Sequence, residues 1–233
     1  GLREILPDNG KAFSSILISL KTRNFRLYFT GMCVSLTGTW MQQIAMSWLV
    51  YRLTGSVFLL ATVTFMAQIP ILLVTPLMSV FVDRFDRQKI LILTQSLSMV
   101  QALSMAVLTL SGVIEVWHIL ILSLLIGCIN ALDNPTRQAF YPSLVAKEHL
   151  SNAIALNSAV INGSRLIGPA VGGVLIGIFG EGLCFLLNGI SYLGVIIALS
   201  FTMIVLLVFS FYRSAPPAKC AHRYTRRFLL CVR

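Results

Sequence analysis

Six stretches of the chain are apolar over roughly the 20 residues that a helix needs to cross the hydrocarbon layer of a bilayer. They run from about Leu27 to Leu53, Val57 to Val82, Ile90 to Leu110, Val116 to Leu132, Ala153 to Phe179 and Leu183 to Phe209. Thr54-Gly55-Ser56, Ser111-Gly112 and Gly180-Glu181-Gly182 read as tight turns between spans, because glycine and small polar residues punctuate helices. Asp83–Lys89 and Asp133–Ser151 read as longer, charged connections. The pattern predicts an all-α transmembrane fold, a six-helix bundle over residues 25–210. An N-terminal segment, 1–24, precedes it and a basic tail, 211–233, follows.

Composition agrees with a membrane protein. Of 233 residues, 57% are hydrophobic and 11% charged, where a soluble domain carries about 25% charged residues. The net charge of +10 would suit a nucleic-acid partner if it formed a stripe on a soluble face. It does not. Sixteen of the 18 basic residues fall in the N-terminal segment, the second-to-third loop (Arg84, Arg87, Lys89), the fourth-to-fifth loop (Arg137, Lys147) and the tail. Arg52 lies on the opposite side and Arg165 inside a span. The positive-inside rule then places both termini in the cytoplasm and excludes nucleic acid as the default partner. The tail after about Phe211 is read either as a basic membrane-surface segment or as disordered. The five cysteines show no CxxC spacing, and Cys33, Cys128 and Cys184 fall within spans, where free cysteine packs as a small hydrophobe.

Ionisable and polar residues within spans are the candidate functional groups. Asp83, at the end of the second span, sits where the helix dipole disfavours a carboxylate, and Arg87 is spaced to reach it if the helix or turn continues. A solvated loop of alternating charges (Arg84, Asp86, Arg87, Lys89) is the other reading. Arg165, within the fifth span, would cost about 2.5–3.5 kcal/mol unless it faces a cavity or partner or snorkels. Gly168, Gly172 and Gly173 around Pro169 remove side chains at helical spacing and admit a close neighbour. Trp40, Gln43 and Ser47, with Gln42 and Trp48 alongside, form either one wall of a substrate cavity or a set of interhelical hydrogen bonds with a tryptophan in the interfacial belt. Asp133-Asn134-Pro135 reads first as a helix terminus with capping chemistry, and second as a proton relay. His118, His149 and His222 are scattered, and there is no Walker loop, no GxSxG and no metal-ligand cluster. Neither an enzyme, a cofactor nor a metal is expected.

Two motifs give the chain a family likeness. Ser79 to Leu91 fits the major facilitator loop motif GxLaDRxGRRxxL, with Ser79 and Asp86 in place of glycine and Gln88 in a commonly basic position. Ala155, Ser164, Gly168, Pro169, Gly172 and Gly173 fit the exporters' fifth-span motif G(x8)G(x3)GPxxGG, two glycines being replaced by small residues. Asn24–Gly31, Thr37–Ser56, Asn134–Val145 and Leu156–Gly173 resemble the bacterial exporter branch that includes the enterobactin exporter. The resemblance spans about Leu20 to Leu207 and implies the N-terminal six-helix half of a major facilitator fold, built as a 3+3 inverted repeat. It further implies a proton-coupled exporter of a drug or siderophore-like metabolite in the bacterial inner membrane, cycling by alternating access. Asp83 and Arg87 would latch the cytoplasmic side, and Gly168 to Gly173 would shape the helix that closes the other side. The family's arginine on the fourth span has no counterpart between His118 and Leu132. Members have twelve spans, so the resemblance calls for a C-terminal half or a second copy. A non-transporting scaffold or subunit is the alternative.

Overall fold

The computed structural model describes residues 23–82, 84–144 and 150–214. Asp83, Lys147, His149, His222 and most of the expected terminal segments (1–22 and 215–233) lie outside the described residues. Six helices are described: α1 (Arg23–Thr54), α2 (Val57–Val82), α3 (Arg87–Leu110), α4 (Val116–Leu144), α5 (Leu150–Phe179) and α6 (Glu181–Ser214). Three chain reversals rest on Gly55, Gly112 and Gly180, whose φ values of 61°, 74° and 80° are left-handed conformations that glycine adopts without a Cβ penalty. Asp86 caps α3, its side chain accepting from the Gln88 amide, which meets the need of a first-turn N–H group for an acceptor.

Two expectations are corrected. Gly182 is not part of a turn, since α6 begins at Glu181. More consequentially, α4 does not stop at Leu132. It continues through Asp133-Asn134-Pro135 to Leu144, so those residues are neither a helix terminus nor a loop. A break at that depth would leave backbone groups without partners in hydrocarbon. The Thr136 hydroxyl donates to the Leu132 carbonyl at 2.6 Å, in the turn that Pro135 weakens. Arg137 therefore leaves the set of loop cations on which the orientation argument drew.

Five of the six described helices are long and apolar enough to cross a membrane. The exception, α1, spends its length differently. It is 32 residues long but presents Ser35, Thr39, Gln42, Gln43 and Ser47 toward a central cavity, so its apolar content is lower.

The chain divides into a compact unit ending at Ser200 and a second beginning at Phe201. The described part of the second is the helical stretch 201–214. Within the first unit, packing is set by small residues. A Cβ on Gly127 of α4 would lie 2.5 Å from the Ala67 carbonyl oxygen of α2. One on Gly168 of α5 would lie 2.5 Å from Trp40 Cβ and 2.9 Å from the Thr37 oxygen of α1. Gly189 and Gly182 seat Leu103 and Leu110 of α3 against α6. Gly38 of α1 faces Asn188 and Ser191 of α6. On α3, Gln101 Nε2 donates to the Leu122 carbonyl of α4 at 3.3 Å.

These contacts form an ordered set. Exchanging α1, α2, α3 for α4, α5, α6 turns the α1–α5 contact into α4–α2 and the α1–α6 contact into α4–α3, while α3–α6 maps onto itself. The exchanged partners lie three places apart in the chain, and helices joined by short turns alternate in direction. The two triplets are therefore related by an axis in the membrane plane, the inverted repeat of transporter folds. Burial repeats the pairing: 44% and 50% of the most apolar windows of α3 and α6 are buried, against 11% and 17% for α2 and α5.

Lipid tails are as apolar as the side chains they would replace, so close backbone approach is a principal source of helix association. Gly127→Leu should lower thermal stability in detergent micelles by about 1–3 kcal/mol through overpacking. Gly173→Ala, where an added Cβ meets nothing within 4 Å, should leave the melting temperature within a degree or two. Equal effects from the two changes would count against the close-packing account.

Candidate functional site

A cavity of about 360 Å³ opens in the middle of the bundle, with side chains from all six helices on its wall. Below and above it the core is apolar. One cluster is built on Met41, Leu49, Val50, Met105 and Phe185, the other on Met32, Leu91, Phe140, Val195 and Leu199. Between them lies a belt of buried polar groups, several of which are tied to neighbouring helices.

One part of the belt joins α1, α6 and α3. Asn188 Nδ2 donates to Gln42 Oε1 at 2.7 Å, and Gln42 Nε2 donates to Gln101 Oε1 at 2.9 Å. Thr39 and Tyr192 share a hydrogen bond of 3.2 Å between their hydroxyls. The other part joins α4 to α3. Asp133 Oδ1 accepts from Thr94 Oγ1 at 2.6 Å and from Gln95 Nε2 at 2.9 Å. Its Oδ2 accepts from Arg137 Nη2 at 2.5 Å and Nε at 3.2 Å. Asn188 and Thr94 stand at the same offset from the starts of α6 and α3, so the two clasps occupy corresponding places in the repeat. Asp133 and Arg137 are four residues apart on one face of a continuous helix. That spacing lets the guanidinium fold back onto the carboxylate.

The residues singled out in the sequence divide between two places. Trp40, Gln43, Ser47 and Arg165 all line the cavity. The Arg165 guanidinium lies over the Trp40 ring, 4.7 Å from its centroid, a cation–π contact that strengthens where water is scarce. Ser47 Oγ donates to the Gln43 carbonyl at 3.0 Å. Gly168 and Gly172 press α5 onto α1, whereas Gly173 faces open space. Ser164 accepts from Thr37 Oγ1 at 3.3 Å on the same seam. Pro169 lies inside α5.

The loop-motif residues stand apart from the cavity. Arg84 and Lys89 are exposed, Asp86 is the α3 cap, and Arg87 Nη1 donates to the Ala139 carbonyl of α4 at 2.9 Å. The expected approach of Arg87 to Asp83 lies outside the described residues. At the other end of the bundle Arg52 of α1 pairs with Glu181 of α6 at 2.8 Å.

Sequence reasoning missed Arg137 as a cavity residue, and with it the partner of Asp133. It had also found no arginine in the fourth span. Arg137 lies within the apolar stretch Val116–Phe140 and supplies one, beyond the Leu132 end expected for that span. The available signal was the opposite charges at an i,i+4 spacing, outweighed by Asn134-Pro135. Gln95, Gln101 and Asn188 were missed as well, the available signal being a polar amide within an apolar span.

The family model described as transmembrane secretion effector matches residues 14–206. The staphyloferrin A transporter of Staphylococcus aureus is 31% identical over 168 residues, 72% of this chain and 42% of that protein. An uncharacterized MFS-type transporter of Bacillus subtilis is 26% identical over 166 residues, 70% of this chain and 39% of its own. Macrolide efflux protein A of Streptococcus pyogenes is 28% identical over 162 residues, 66% of this chain and 39% of its own. No solved structure gives a significant match. The chain belongs to the transmembrane secretion effector family of the major facilitator superfamily, and is a multi-pass membrane protein of a transporter family, not an enzyme family. It spans about two fifths of the length of the curated relatives it matches.

Removing one member of a buried ion pair strands the other, at a cost of up to about 3–5 kcal/mol. Arg137→Met should therefore lower the thermal midpoint in micelles more than the double change Asp133→Leu with Arg137→Met, which leaves no charge behind. A double variant less stable than Arg137→Met would show that Asp133 is held without its partner.

Proposed function

We propose that the chain is one six-helix half of a secondary exporter that moves a small molecule by alternating access, with the proton as coupling ion. The observation that carries this reading is the central cavity. A carboxylate, two guanidiniums and several amides face a space inside helices whose outer surfaces are apolar, and charges held at membrane depth mark solute or proton paths. The unburied faces of α2 and α5 support a second six-helix bundle as partner, from the C-terminal half of a longer protein or from a second copy. The relatives named for staphyloferrin A and for macrolides support a siderophore-like metabolite or a drug as cargo.

In this reading both termini are cytoplasmic and the membrane is the bacterial inner membrane. Asp83 and Arg87 latch the cytoplasmic end, with the Arg87–Ala139 contact fixing α3 to α4 there. Gly168 and Gly172 let α5 close against α1. Trp40, Gln43 and Ser47 contact the solute.

The test is uptake of radiolabelled staphyloferrin A and of a radiolabelled macrolide into everted membrane vesicles from cells expressing the full reading frame that contains this chain. At least one solute should accumulate in energised vesicles and be lost on adding a protonophore. Gly168→Leu and Asp83→Asn should each slow uptake at least tenfold with the protein still in the membrane, a loss of about 1.4 kcal/mol or more. Uptake of neither solute, with the protein instead copurifying with another membrane protein, would favour a scaffold or subunit. Uptake indifferent to the protonophore would remove the proton from the scheme.

A further inference from the structure

Among the described residues, the charged side chains lining the cavity are Asp133, Arg137 and Arg165, two cations against one anion. Asp133 satisfies Arg137 through Oδ2, and its other oxygen is taken by Thr94 and Gln95. Arg165 is exposed and makes no ion pair among the described residues. Its contact is the face of Trp40, and its guanidinium makes no hydrogen bond to a described residue. The groups facing the space from α2 and α6, Gln68 and Tyr192, carry no balancing charge. A further observation points the same way. Gln95 is 2% exposed and lines the cavity, yet its Oε1 has no hydrogen-bond partner among the described residues. A buried acceptor left in this state costs free energy unless a donor arrives.

We propose that the cavity binds a carboxylate-bearing anion. Arg165 is its first ligand, by the paired N–H donors that a guanidinium offers a carboxylate. Arg137 is a second ligand that Asp133 holds in competition, so the bound anion and Asp133 share one guanidinium. Gln95 Oε1 accepts from a hydroxyl or amide of the same molecule. The volume, about 360 Å³, suits a small organic molecule. This assignment rests on the exporter reading and names its substrate class.

The experiment is a binding titration on the full chain in lipid nanodiscs, read by tryptophan fluorescence. Trp48 and Trp117, both exposed, are changed to Phe, so that Trp40 is the one tryptophan left of three. Citrate serves as the probe polycarboxylate and tetraphenylphosphonium as the probe cation. Citrate should quench Trp40 saturably, more weakly as salt is raised. Arg165→Gln should weaken it at least tenfold, and Asp133→Asn should tighten it several-fold by releasing Arg137.

Saturation by tetraphenylphosphonium in place of citrate, or citrate quenching untouched by Arg165→Gln, would overturn the assignment. So would weaker binding in a folded Asp133→Asn protein. Arg165 is exposed, so its variant decides the matter even where Asp133→Asn fails to insert. The two readings fail separately: citrate binding without vesicle uptake would count against the exporter and leave the site, and uptake without anion binding would remove the site alone.

Discussion

A polar side chain in the hydrocarbon layer has no water to fall back on, so its partner must come from another part of the protein. Much of the bundle's internal order follows from that requirement. Gln42 can be buried because Asn188 and Gln101 close around it. Asp133 can be buried because Thr94, Gln95 and Arg137 saturate its two oxygens. These bonds fix α1 to α6 and α4 to α3 at one depth, which apolar packing alone would do poorly, since one leucine against another specifies little register. The glycine seams then set how closely the helices approach. Polar clasps fix depth, and small residues fix distance.

The same two devices recur at corresponding seams between the two three-helix halves. Gly127 brings α4 to α2 as Gly168 and Gly172 bring α5 to α1, and the Asp133 clasp between α4 and α3 corresponds to the Asn188 clasp between α1 and α6. The chemistry is not duplicated along with the geometry. One clasp is made of neutral amides and the other of an ion pair, and both line the cavity with Arg165. Repetition supplied the frame, and divergence placed charge on one side of it.

The spans were legible because apolar runs of membrane length have few other uses, and the turns because Gly55, Gly112 and Gly180 stood between them. The cavity wall on α1 was legible in part, from Trp40, Gln43 and Ser47 at helical spacing. What could not be read was the end of α4. In water Asn134-Pro135 is a strong stop signal, and that prior carried Asp133 and Arg137 into a loop. The membrane reverses the preference, because an interrupted helix exposes backbone groups that lipid cannot satisfy. Gly173 shows the converse limit: a motif names small residues in a row, but only three-dimensional packing tells which of them touch a neighbour.

The two bundle ends differ in how their contacts constrain change. Arg52 holds α6 through the Glu181 side chain, so that contact survives substitution only when both positions change together. Arg87 holds α4 through the main-chain oxygen of residue 139, which every amino acid supplies. Position 139 can therefore vary without breaking that contact, whereas positions 52 and 181 are bound to a shared history.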